Sequence, residues 1–142
     1  MTNPLAIFAL IAMTGAAAAE VVPRAEQTPG PIFDMLKAEA QGNGEEIDGV
    51  AAWEIDLEGD GTTEWLVQPA LWTGGNSISV RTYLFDGADT GFGTHANIGM
   101  NRSLKRVEQE GRTISLVIFE LLENDPRCCP SGESTRILQI GE

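Results

Sequence analysis

Asp56, Glu58 and Asp60 alternate along the chain, Gly61 follows, and Glu64 comes four residues after Asp60. A hard cation such as Ca²⁺ takes about six to eight oxygen ligands, and alternate carboxylates on a tightly curled loop can all face one ion. Gly61 supplies the sharp turn, because glycine reaches positive φ without a Cβ clash. The four acidic side chains are therefore candidate metal ligands. The competing reading is an acidic hairpin turn, since Asp-Gly marks a turn with or without an ion. General acid–base chemistry would need a carboxylate with a raised pKa in a closed pocket, and an exposed turn does not offer one.

The spacing resembles the calcium loops of EF-hands, of dockerins and of the Asp-x-Asn-Gly-Asp-Gly repeats of integrin-like propellers. It departs from the EF-hand at the twelfth position, where Val67 stands in place of a bidentate Glu. A strand pattern follows it instead of a helix. Glu64 or water would have to close such a site. The expected affinity is that of an extracellular-type site, on the order of 10⁻⁴–10⁻³ M.

Cys128 and Cys129 are the second chemical feature, set in Asp125-Pro126-Arg127-Cys128-Cys129-Pro130-Ser131. Adjacent Cα atoms lie only ~3.8 Å apart across a trans peptide, whereas an ordinary disulfide prefers about 5.5–6 Å. A Cys128–Cys129 bond would be a tight ring with a distorted or cis peptide, more easily reduced than most. Three readings stay open: a vicinal disulfide that stiffens the loop, free thiols or bonds to other chains, and a redox or ligand-binding ring. A soft-metal site would need more ligands, and His95 is the one histidine.

The surrounding chain must position these groups. Ile32, Phe33, Leu36 and Ala40 recur at helical spacing, with Pro31 at the start and Gly42 and Gly44 at the end. Strand patterns follow over Val50–Leu57, Trp65–Leu71, Ile78–Phe85, Leu104–Gln109, Thr113–Leu122 and Ser134–Ile140. Thr113–Leu122 is apolar on both faces, which suggests a central position. Short turns between consecutive strands predict an antiparallel meander of five to six strands with the helix on one face, an α+β fold.

Residues 1–19 read as a signal peptide: an apolar run over Pro4–Met13, too short for the ~20 residues of a bilayer span, then small residues at Ala17 and Ala19. Met1-Thr2-Asn3 carries no Lys or Arg. Residues 20–30 are Pro-rich and read as a flexible mature N-terminus, and 31–142 as a single domain. The net charge of −12 on 142 residues argues against nucleic acid and anionic membranes as partners. It fits a periplasmic or secreted protein with no membrane insertion after signal cleavage.

Arg102, Lys105, Arg106 and Arg112 form a local basic stretch, read as a solvated edge or, alternatively, a dock for an anionic partner or glycan. Trp53 is expected in the core, and Trp72, beside Gly74-Gly75, exposed. No Ser/His/Asp set, phosphate loop or zinc spacing is present.

Asp56-Leu57-Glu58-Gly59-Asp60-Gly61…Glu64, Gly74-Gly75-Asn76, Tyr83-Leu84-Phe85 and Asp125-Pro126-Arg127-Cys128-Cys129-Pro130-Ser131 together resemble a loose group of uncharacterised secreted bacterial proteins, over roughly residues 32 to 140. That resemblance implies an exported domain and no particular activity. The expectation is a non-catalytic binding domain for a protein or glycan partner, with Ca²⁺ at the acidic turn. The alternative is a periplasmic redox-responsive protein acting through Cys128 and Cys129.

Overall fold

A computed structural model describes residues 19–98 and 102–138. The expected signal peptide falls almost wholly outside the described residues, as do the last two residues of the predicted final strand. Helix α1 spans Gly30–Gly42 and buries Ile32, Leu36 and Ala40, while Phe33 stays partly exposed. The helix ends in a left-handed glycine, Gly44 (φ 70°). The Glu45 N–H reaches back to the Ala40 carbonyl at 2.8 Å and the Gly44 N–H to that of Gln41 at 3.2 Å. Carbonyls that the helix itself cannot satisfy are thereby paired.

Among the described residues nine strands follow the order β1 (Glu20–Val22), β2 (Glu46–Ile55), β3 (Glu64–Trp72), β4 (Ile78–Val80), β5 (Tyr83–Phe85), β6 (Thr94–Asn97), β7 (Leu104–Glu110), β8 (Thr113–Glu120) and β9 (Gly132–Leu138), with α1 between β1 and β2. All six predicted strands are present. One is broken into β4 and β5, and β1 and β6 are additional. The pairing is antiparallel throughout, but the single meander sheet is replaced by two sheets. One is four-stranded, β1-β7-β8-β9; the other is five-stranded, β2-β3-β5-β6 with β4 also on β3.

The reason lies in the five-stranded sheet, which is apolar on both faces. Trp53, Ile55, Leu66 and Leu84 point one way and pack with Val107, Ile114, Leu116 and Ile118 of the other sheet. Their neighbours Ala52, Trp65, Val67, Tyr83 and Phe85 point the other way and pack with Ile32 and Leu36 of the helix. Side chains alternate faces along a strand, so a sheet with two apolar faces needs a cover on each. The result is three layers: helix, five-stranded sheet, four-stranded sheet. The Tyr83 hydroxyl adds a polar tie to the helix, donating to Glu39 Oε1 at 2.8 Å.

β8 is interior to its sheet, as its pattern suggested, but the strand buried along most of its length is β3. β3 contains Pro69, which has no N–H to give a ladder. By register the break between β4 and β5, at Arg81 and Thr82, falls opposite Pro69 and Gln68. Buried Gln68 bridges the sheets: its Nε2 donates to Thr82 Oγ1 at 2.9 Å and to the Arg102 carbonyl at 2.8 Å, and its Oε1 accepts from the Leu104 N–H at 2.9 Å.

The segment read as a flexible N-terminus contains β1, which pairs with β7. Just beyond it, Arg24 bridges to Trp53, and the Ala25 N–H donates to the Ala52 carbonyl at 2.7 Å. Residues 20–25 thus touch both sheets.

Candidate functional site

The β2–β3 hairpin, in register from Glu46↔Trp72 to Ile55↔Glu64, presents residues 56–63 as one loop. Leu57 anchors it, 1 % exposed and packed between the two sheets. The Leu57 N–H donates to Glu64 Oε2 at 2.9 Å, so one carboxylate of the site is fixed and buried at the root of β3. Asp56 wraps the loop around itself: Oδ1 accepts from the Gly59 N–H at 2.8 Å and Oδ2 from the Gly61 N–H at 3.1 Å. Gly59 and Gly61 take the positive φ values that this curl requires, 69° and 81°. Asp60 accepts from the Thr62 N–H at 2.9 Å and from the Thr62 hydroxyl.

One carboxylate oxygen from each of Asp56, Asp60 and Glu64 lies within 4.8 Å of the others. These are three of the four sequence candidates. Glu58 stands outside the trio on the same loop and leans on Asp60. Its pKa is raised by hydrogen bonding to Asp60 and then by the Asp60 charge. Asp60 is held below the usual carboxylate range by the two Thr62 donors. The loop thus gathers like charges that repel one another, the arrangement a cation relieves.

Two further carboxylates reach the same place. A pocket of about 460 Å³ is lined by Glu58, Asp60 and Glu64 and also by Asp86 and Asp89, from the turn after β5. Neither residue is among the candidates that the sequence singled out. The missing signal is the pairing Trp65↔Phe85, which sets the end of β5 beside the start of β3. Gly87 permits the close approach, because a Cβ there would run into the Thr63 carbonyl.

The second candidate is the loop over residues 121–131. Cys128 and Cys129 are bonded to each other, with Cα atoms 3.8 Å apart. Among the described residues no peptide is cis, so the ring forms on a trans peptide. Both cysteines are exposed. Asp125 organises the loop: Oδ2 accepts from the N–H groups of Leu122 and Ser131, both at 2.8 Å, and Oδ1 from the Ser131 hydroxyl at 2.7 Å. Those donors lower its pKa, Ser131 first. His95 lies on β6, and its side chain is outside the described set.

Three of the four basic residues have carboxylate partners, and only Arg106 is closely held. Arg106 pairs with Glu108 at 2.6 Å and Glu133 at 2.9 Å, Lys105 with Glu133 at 3.8 Å, and Arg102 with Glu120 at 3.9 Å. Trp53 and Trp65 are buried, and Trp72 is 40 % exposed, its indole N–H donating to the Gly75 carbonyl at 2.7 Å.

Compared with known proteins, the chain matches no family profile, no curated sequence and no solved structure. Functional inference therefore rests on the geometry. Among the described residues no helix is long and apolar enough to cross a membrane. An exposed, oxidised cysteine pair fits an oxidising compartment.

Proposed function

We propose that this chain is an exported, non-catalytic interaction domain whose 56–64 turn takes a structural Ca²⁺. The observation that carries the reading is the convergence of Asp56, Asp60 and Glu64 to within 4.8 Å of one another. They are the first, fifth and ninth residues of one curled segment, with Leu57 locking it into the core. An all-oxygen donor set of this kind suits a hard cation. Glu58 supports the same reading: hydrogen bonding to Asp60 and then the Asp60 charge raise its pKa, the mark of carboxylates crowded together on one turn. The exposed, bonded Cys128–Cys129 pair supports export, because disulfides persist in oxidising compartments.

The test is thermal unfolding with Ca²⁺ and with chelator. A ligand at 100 times its dissociation constant stabilises the folded state by about 2.7 kcal/mol. For a chain of this size that is a rise on the order of 10 °C in melting temperature. Superimposable curves in Ca²⁺ and chelator would refute the ion site.

The exposure of Cys128 and Cys129 favours a second reading, a redox-responsive protein acting through that pair. A dithiol would carry the exchange, its two thiols closing to a disulfide as the Cys128–Cys129 bond opens to two thiols. Resistance of the pair to millimolar dithiol in the folded protein would sink this alternative.

A further inference from the structure

The acidic turn is not the largest concavity on the molecule. A groove of about 820 Å³ runs between the start of β4, the end of β8 and the cystine loop. Its walls are Ile78, Phe119, Leu121 and the Cys128–Cys129 ring. Ile78 and Leu121 are 53 % and 49 % exposed, and Leu122 beside them 52 %. Trp72 continues this surface, because it is the cross-strand partner of Ile78, and directly opposed residues share a sheet face. Apolar side chains clustered in the open like this mark interaction sites.

The charge lining the groove is the reverse of the molecule's. Three other pockets each carry two or more carboxylates: Glu58, Asp60, Glu64, Asp86 and Asp89 in one, Glu20, Glu54 and Glu110 in the next, Glu45 and Glu46 in the third. The groove lining has none, and it has two guanidinium groups, Arg102 and Arg127. Arg102 makes a long, exposed pairing with Glu120 at 3.9 Å, the kind that contributes little. Lys105, in a similar exposed pairing with Glu133 at 3.8 Å, adds a third cation, its Nζ 5.8 Å from the Phe119 ring centroid.

We infer that this groove docks a peptide segment of a partner protein that combines apolar side chains with Asp or Glu. Trp and Arg around an apolar centre are the residue types that dominate interface energetics, and guanidinium forks match carboxylates. A polyanion such as nucleic acid, or an anionic bilayer, would present extended negative charge to a protein of net charge −12 and be repelled. A short acidic segment meets mainly the local cations. The inference rests on the interaction-domain reading and not on the ion site.

The test is selection from a random peptide library displayed on phage, run in Ca²⁺ and again in chelator. Selected peptides are then titrated against wild-type protein and the variants Arg127→Glu and Leu121→Asp. Both positions are exposed, and a melting curve checks that each variant folds. The expected result is enrichment of sequences mixing Leu, Ile, Phe or Trp with Asp or Glu. Their affinity should fall at least about tenfold in either variant, the size of a hot-spot loss, and hold within about twofold in Glu110→Gln, an exposed carboxylate outside the groove. Binding should also shift the emission of exposed Trp72. The double variant Cys128→Ser/Cys129→Ser, which removes the ring at constant charge, should weaken binding as well. No enrichment, enrichment of basic peptides, or acidic peptides indifferent to Arg127→Glu and Leu121→Asp would each overturn the proposal. Because selection runs in both buffers, a missing Ca²⁺ effect on melting refutes the ion site without touching this result.

Discussion

Asp56 and Asp125 each shape an irregular loop by accepting hydrogen bonds on both carboxylate oxygens. Their surroundings differ. Asp56 has Asp60 and Glu64 within a few ångströms, and Glu58, Asp86 and Asp89 crowd the same pocket. Asp125 has three donors, and the loop it organises is further closed by a covalent ring. The first loop is fixed by a core residue, Leu57, and gathers several carboxylates in one place. The second has exposed Leu121 and Leu122 where the first has its plug, and its charge is answered internally. One loop gathers carboxylates that could hold a cation; the other meets its organising carboxylate with its own donors.

The largest expected effect tests the plug. Leu57→Ala should cost about 2–5 kcal/mol, the range for a fully buried leucine, whereas Leu122→Ala should cost about 0.5 kcal/mol or less. Urea unfolding of both variants measures the difference. Equal costs would mean that the two loops are anchored alike.

Next comes the ion, for which Asp60→Asn is the sharper probe. Asparagine keeps the Oδ1 acceptor used by Thr62 and removes a charge. In chelator the variant should be slightly less stable than wild type, because the Thr62 donors favour the charged carboxylate. In Ca²⁺ the deficit should be larger, because a ligand is weakened as well. A deficit that grows with Ca²⁺ is hard to obtain from a turn that binds nothing.

How much of this contrast could be read from residue order varies by element. The 56–64 turn was legible because its chemistry is local: alternating acids and a positive-φ glycine within nine residues. The helix was legible for the same reason, through Ile32, Leu36 and Ala40. The two-sheet stacking was not, although its signal is present in Trp65-Leu66-Val67 and Tyr83-Leu84-Phe85. A run of three apolar residues in a strand says that both faces are covered, and it does not say by what. The additions Asp86 and Asp89 depend on strand pairing across some twenty residues, a distance over which no local pattern speaks. β1 was hidden because Glu20-Val21-Val22 is short and borders a Pro-rich stretch; its pairing with β7, not its composition, makes it a strand.

Acid should separate the loops in opposite directions, with a smaller amplitude. The folded pKa of Asp125 is depressed below 3.8. Its contribution is therefore present above that value and is lost as pH falls through the folded pKa. Glu58 is raised above 4.5, so without Ca²⁺ its ionisation costs the folded state more than the unfolded one. That part of the stability declines as pH rises from about 4.5 towards the folded pKa. In chelator Glu58→Gln should remove the decline, and in Ca²⁺ wild type should lack it. Asp125→Asn should show its deficit at neutral pH and lose it well below pH 3.8. Denaturant melts across pH in both buffers would show whether the signs differ as stated.

The smallest effect concerns the ring. Cross-links stabilise chiefly by restricting the unfolded chain, and the restriction shrinks with the length of chain enclosed. A bond between neighbours encloses almost none, so reducing Cys128–Cys129 should change stability by about 1 kcal/mol or less. Asp125, Leu122 and Ser131 should hold the loop in shape without it. Intact mass, rising by two hydrogens under dithiol, would verify reduction in the sample being melted. A large loss of stability would mean that the ring, and not Asp125, is what makes the second loop self-sufficient. The contrast with the acidic turn would then be between a cation and a covalent bond, and no longer between a cation and a set of donors.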